Sequence, residues 1–189
     1  MTKKKISILL MVMMCLVLGA CGVKQKEKRQ VNAVVRSVAK TATFPKQVPI
    51  FTTEDLNGNT VTSDFFAQAD VTVVNFWATF CNPCIDELPE LEKWSESMPE
   101  NVQMLGILVD ADSKESQEYA TALEIIEKTN VKYTNILATG AFESFTNNIT
   151  GVPTTFLIDK DGKVIGKPVV GAKIDSYKKR VEKYLNKNK

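Results

Sequence analysis

Histidine is absent from all 189 residues. Without imidazole there is no Ser-His-Asp or Cys-His nucleophile and no His-ligated zinc, haem or iron site. Proton transfer is left to Cys, Asp, Glu, Lys, Tyr or water. Cysteine is scarce, with four in the chain, and nine Gly and seven Pro exclude a collagen-like or low-complexity sequence. Long hydrophobic runs are also lacking: the longest, residues 6–20, covers fifteen positions, short of the roughly 20 that a membrane-spanning helix needs. What remains is 44% hydrophobic and 24% charged, a globular composition with room for one domain plus targeting or linker segments. The net charge of +2 gives no reason to expect nucleic acid, but it hides opposed regions.

Lys3, Lys4 and Lys5 precede the apolar run and Cys21 follows it, the pattern of a signal peptide over residues 1–20. Leu18-Gly19-Ala20-Cys21 resembles the lipobox of bacterial lipoproteins, which implies cleavage before Cys21 and a lipid on its thiol. In the competing reading the leader is retained or cut conventionally and Cys21 has no role. Cys15 leaves with the leader. Residues 22–46 carry seven Lys/Arg against the single acid Glu27 and lack periodicity. They read either as a basic tether drawn to anionic headgroups or as a solvated linker. Residues 47–189 hold fourteen Lys/Arg and twenty-one Asp/Glu, a net charge of −7. The domain is acidic.

Within it, residues 71–78 (VTVVNFWA) and 102–109 (VQMLGILV) are apolar, β-branched runs expected of strands buried on both faces. Pro83 opens a helical pattern with Ile85, Leu88, Leu91 and Trp94 on one face, and Pro89 is expected to kink it. A second helix is expected from Ser113, with Tyr119, Leu123 and Ile126 facing the core and with Asp110 and Asp112 favouring its N-terminus. Residues 135–138 suggest a short strand, followed by a helix with Phe142, Phe145 and Ile149. Residues 154–158 and 163–166 flank Asp161-Gly162 as a hairpin. Ile174, Tyr177, Val181, Tyr184 and Leu185 make the stripe of a last helix. The expected fold class is α/β, a mixed central sheet flanked by helices. The Asp159 turn lacks the later ligands of a calcium loop.

Cys81-Asn82-Pro83-Cys84 follows the central strand and opens a helix. At i, i+3 on a helix start, two Cβ atoms lie about 5–6 Å apart, close enough to make and break a disulfide with little backbone motion. The free N–H groups and positive dipole end stabilise a thiolate at Cys81, which is the expected nucleophile. Cys84, one turn deeper, is placed to resolve the mixed disulfide. A four-cysteine zinc site fails because the other two thiols lie in the leader or at its end, and a permanent staple over so short a loop constrains little.

The stretch from Asn75 to Cys84 (NFWATFCNPC), together with residues 151–156 (GVPTTF), resembles the two signatures of the thioredoxin superfamily. The likeness covers about residues 45–187 and is greatest to the TlpA/ResA-like group of membrane-tethered thiol-disulfide oxidoreductases. It implies a thioredoxin-like fold with an extra strand-helix insertion between the signatures. Pro153 is expected as the cis-proline facing the dithiol, with the backbone of Val152 pairing with a client strand. Thioredoxins carry a buried Asp where this chain has Asn75. Glu87, where ResA-like proteins have an active-site Glu, is therefore the candidate proton relay and tuner of the cysteines, against the plainer reading of an acid favoured by the helix dipole. Client contacts are expected from Phe80, Asn82, Pro83, Val152 and Trp77, with Trp77 also packing near the site. Phe80 stands where Trp is common, so a contact made by that indole does not carry over.

The resemblance further implies a monomeric, extracytoplasmic reductase, lipid-anchored to the membrane by Cys21. Its electrons come from a membrane thiol transporter of the CcdA type and go to disulfides of client proteins, apocytochrome c or methionine sulfoxide reductase among them. Neither nucleic acid nor any cofactor beyond the Cys81–Cys84 pair is expected. Twelve Asp/Glu against three Lys between Cys81 and Asn130 suit a partner with basic patches, though solubility also accounts for them. A disulfide-forming oxidase would use the same residues. A non-catalytic lipid-anchored binding protein would not need two closely spaced thiols.

Overall fold

The two apolar runs at the centre of the chain form neighbouring parallel strands in the computed structural model, which describes residues 44–188. In chain order the elements are β1 (Thr52–Glu54), β2 (Thr60–Thr62), a 3-10 segment (Ser63–Gln68), β3 (Val71–Trp77), α1 (Asn82–Glu96), β4 (Val102–Leu108) and α2 (Gln117–Thr129). There follow β5 (Asn135–Leu137), a 3-10 turn (Gly140–Phe142), α3 (Glu143–Thr146), β6 (Thr154–Asp159), β7 (Val169–Val170) and α4 (Ile174–Lys187). Five strands make one mixed sheet in the order β5-β4-β3-β6-β7, with β3, β4 and β5 parallel and β6 and β7 antiparallel. The fold is thioredoxin-like, and α2 with β5 supplies the extra helix and strand between the two signatures. The leader, Cys15, Cys21 and the tether through residue 43 lie outside the described residues.

The two faces of β3 sort by alternation. Val74 and Phe76 join a phenylalanine-rich cluster with Phe51, Phe66, Phe142, Phe145 and Phe156, where Phe76 stacks on Phe145 with ring centres 5.9 Å apart. Val71 and Val73 pack on the other face against Leu91 of α1 and Tyr177 and Val181 of α4. Trp77 lies with Cys84 and Leu88 in a third cluster. Asn75 faces α1 as well, a polar residue amid apolar neighbours and 1% exposed.

Several expectations need correction. The domain already includes Phe44, whose ring packs edge-on against Phe156 at 5.4 Å, and the Lys46 carbonyl accepts from Val164 N–H; the tether therefore stops short of residue 46. The hairpin β1–β2, built from short, mostly polar strands, gave no apolar alternation to read. Asp55 closes it, its Oδ1 accepting from the N–H groups of Asn57 and Asn59 at 2.9 and 2.8 Å. The second helix begins at Ser116 rather than Ser113, because the Ser116 hydroxyl caps Tyr119 N–H at 3.1 Å. Its buried residue is Ala122, whereas Leu123 is among the exposed hydrophobics. Residues 163–166 do fold back on β6 as a hairpin, with the Ile158–Val164 bridge flanked by Asp159 N–H to the Lys163 carbonyl at 2.9 Å and Ile165 N–H to the Leu157 carbonyl at 2.8 Å, but they form no regular strand; the strand pairing with β6 is β7, two residues long. Ile149 lies beyond α3. Pro89 stands inside α1 where the sequence places it, and the helix continues to Glu96.

Candidate active site

The loop between β3 and α1 is fixed before the first cysteine is reached. Asp110, just past β4, accepts from Thr79 N–H at 2.9 Å and from the Thr79 hydroxyl at 2.6 Å. It therefore anchors this loop instead of serving the N-terminus of α2. Cys81 is the N-cap of α1, with extended backbone (φ −95°, ψ 93°), and its sulfur accepts from Cys84 N–H at 3.2 Å. A group that normally caps with oxygen is here a sulfur. When the pair is reduced, that same N–H stabilises a thiolate.

Cys81 and Cys84 are joined as a disulfide, with Cα atoms 5.3 Å apart. Cys81 is 6% exposed and Cys84 wholly buried, so the outer sulfur is the one an incoming group can reach. The Val152–Pro153 bond is cis, and the Val152 carbonyl oxygen lies 3.4 Å from the Cys81 sulfur. The Thr154 hydroxyl donates to the Gly151 carbonyl at 2.6 Å and so pins the same loop from behind. Phe80, Asn82 and Pro83 are exposed around Cys81 and Val152 is half-buried, which leaves these four free to meet a partner. Trp77 is not. It is fully buried and donates its indole N–H to Asn135 Oδ1 at 3.0 Å, so the expected client contact is corrected to a packing role under the site.

Glu87, one turn beyond Cys84, is 5% exposed. Its Oε1 accepts from Asn75 Nδ2 at 2.9 Å, and its Oε2 is 3.3 Å from the Tyr177 hydroxyl of α4. Asn75 Nδ2 also donates to Thr155 Oγ1 of β6 at 3.0 Å. Burial pushes Glu87 from 4.5 up to about 7; hydrogen bonds from Asn75 and Tyr177 pull it back in part, and the charge of Glu90 adds to the rise. A carboxyl that titrates near neutrality is suited to give and take protons. It opens towards solvent through a groove of about 600 Å³ lined by Pro83, Asp86, Glu90, Lys173 and Asp175 among others.

Reading the sequence missed three parts of this arrangement. Asn75, in sequence only a departure from Asp, holds Glu87. Tyr177 looks in sequence like one more member of an apolar stripe; burial pushes its hydroxyl up to about 12, so it remains protonated. The Asp110–Thr79 anchor spans thirty-one positions and leaves no local signal. Among the described residues no group of three or more Cys, Asp or Glu could hold a metal ion.

Residues 44–185 match the Redoxin family model. The chain is 30% identical over 143 residues to the thiol-disulfide oxidoreductase ResA of Bacillus thuringiensis subsp. konkukian, covering 75% of this chain and 76% of that protein. A thiol:disulfide interchange protein of the thioredoxin family from Chlorobium tepidum superposes with a TM-score of 0.56 at 26% identity, over 69% of this chain and 89% of that one. The thioredoxin domain of a thiol-disulfide oxidoreductase from Bacteroides vulgatus does so with a TM-score of 0.60 at 25% identity, over 75% and 99%.

Proposed function

We propose, given that this chain belongs to the Redoxin family and is a thiol-disulfide oxidoreductase of the ResA type, that it works outside the cytoplasm as a reductase of client disulfides. The observation carrying the direction is the charge around the dithiol. Asp86 and Glu90 fall in the second and third turns of α1, and no cation precedes Lys93 on that helix. Negative charge near the helix start opposes a thiolate at Cys81, which disfavours the reduced pair and lowers its potential. A low potential makes the dithiol a donor of electrons.

In the reaction the Cys81 thiolate attacks one sulfur of a client disulfide, forming the Cys81–client disulfide and expelling the first client thiolate, which takes up a proton. Cys84 then loses its proton to Glu87 and attacks the Cys81 sulfur. The protein disulfide forms, the second client thiolate leaves and is protonated, and two electrons have passed to the client. Exposed Phe80, Asn82 and Pro83, with the Val152 backbone, receive the client segment. The reading includes a lipid anchor at Cys21, a monomer, no further cofactor, re-reduction by a CcdA-type membrane donor, and apocytochrome c or methionine sulfoxide reductase as client classes.

Equilibration of the full chain against glutathione buffers tests the direction. A potential near or below about −230 mV supports the reductase. A potential near about −120 mV, where strong protein oxidants lie, overturns it in favour of disulfide formation.

A further inference from the structure

Tyr177 has one hydroxyl proton and faces two carbonyl or carboxylate acceptors, with the Thr155 hydroxyl also within hydrogen-bond reach. Its Oη is 2.8 Å from the Gly171 carbonyl oxygen and 3.3 Å from Glu87 Oε2, and it accepts from Lys173 N–H at 3.1 Å. Gly171, at φ +86°, aims its own N–H the other way, onto the Pro153 carbonyl at 2.8 Å. Only glycine takes this backbone without strain. Glu87, Tyr177, Gly171 and Pro153 thus stand in series, and the last of them adjoins Val152, whose carbonyl touches the Cys81 sulfur.

We propose that Tyr177 is a positioning residue for dithiol exchange: rotation of its hydroxyl between Glu87 and the Gly171 carbonyl couples the charge on Glu87 to the backbone that holds the Pro153 loop beside Cys81. The proposal rests on Glu87 acting as proton acceptor for Cys84. With Glu87 neutral, the carboxyl O–H donates to Tyr177 Oη while Tyr177 donates to Gly171. With Glu87 ionised, the Tyr177 O–H turns to Oε2 in a charge-assisted bond, and the Gly171 carbonyl loses its donor. Tyr177 keeps its proton throughout. The shorter contact to Gly171 in the disulfide form is the neutral arrangement, in which the loop is held. Ionisation after client release frees it.

Other charges face Glu87 too. Asp86 and Glu90 lie on its own helix, Lys173 and Asp175 line the groove from the start of α4, and Tyr133 ahead of β5 feels the charges of both Glu87 and Glu92. The neighbouring β3 and β6 contribute only uncharged Asn75 and Thr155. None of these groups bonds to Gly171; a second route from Glu87 to the Pro153 loop runs through Asn75 to Thr155, and Tyr177→Phe removes only the route through Gly171.

The test is a pH titration of the full chain by NMR, following the Glu87 side-chain carboxyl carbon together with the amide groups of Gly171 and Thr154. In the wild-type protein both amides are expected to shift with the midpoint of Glu87; amides that ignore it overturn the proposal without any variant. In Tyr177→Phe, the lost charge-assisted donor is expected to move the Glu87 midpoint up by about one pH unit, and the Gly171 amide is expected to stop following it. An unchanged midpoint with the Gly171 amide still coupled overturns the proposal. Glu87→Gln separates the two claims: if it leaves the pH profile of mixed-disulfide resolution intact, the proton-acceptor reading fails, whereas loss of the profile beside a silent Tyr177→Phe sinks only the Tyr177 coupling.

Discussion

Asn75 on β3 donates to Glu87 on α1 at 2.9 Å, across a strand-helix interface that is otherwise apolar. The amide favours the carboxylate, burial disfavours it, and the balance leaves Glu87 titrating about 7. In the folded chain Glu87 holds a proton that the unfolded chain releases at about 4.5. Stability from this group is therefore full below pH 4.5, falls as the pH rises towards 7 and is flat above, a change of about 3 kcal/mol. Glu87→Gln is expected to raise the urea midpoint at pH 8 and to match the wild type near pH 4. Equal midpoints at pH 8 would remove the case for a costly buried charge.

In the proposed mechanism the same carboxyl takes the proton from Cys84 in the second chemical step. Glu87→Gln is expected to slow resolution of a preformed Cys81 mixed disulfide on the order of 10²-fold at pH 8, with little effect on its formation. Stopped-flow release of a chromogenic thiol separates the two phases. Equal slowing of both phases would contradict a role confined to Cys84.

Gly106 on β4 faces the Asn135 side chain so closely that an added Cβ would overlap its amide oxygen. That oxygen accepts the Trp77 indole N–H, and the Asn135 amide donates to the Tyr133 carbonyl at 3.0 Å. Gly106→Ala must displace Asn135 and leave buried polar groups unpaired, at a cost of about 1–3 kcal/mol each. Denaturant unfolding followed by tryptophan fluorescence checks this, and a midpoint equal to the wild type would contradict it.

Phe80 is 74% exposed beside Cys81 and contributes no core packing. Phe80→Ala is expected to leave stability within about 0.5 kcal/mol and to raise KM for a protein disulfide such as insulin, leaving the rate with a small disulfide unchanged. An unaltered KM for insulin would remove Phe80 from the client face.

The fold was legible where burial follows local pattern. β3 and β4 are uniform apolar runs, and α4 shows its stripe from Ile174 to Leu185, so each was readable within a residue or two. The signatures around Cys81 and Pro153 carried the order of the site, because a dithiol at a helix start and a proline loop are both encoded in consecutive residues. The β1–β2 hairpin was not legible, since Asp55 shapes it through side-chain bonds to a turn rather than through hydrophobic alternation. Leu123 was misplaced because its spacing fits a helical stripe whose buried position falls to Ala122. The partners of Glu87 escaped for a different reason: Asn75, Thr155 and Tyr177 come from three elements and meet only when β3, β6 and α4 pack.

The exchange chemistry rests first on Cys81 as nucleophile and Cys84 as resolving thiol. The measurement is mass-spectrometric mapping of mixed disulfides formed by Cys84→Ser and Cys81→Ser full-length chains with an oxidised client peptide. Stable adducts on Cys81 in Cys84→Ser, and none on the buried Cys84 in Cys81→Ser, are the expected result. Adducts on Cys84 alone would reverse the roles and contradict the mechanism.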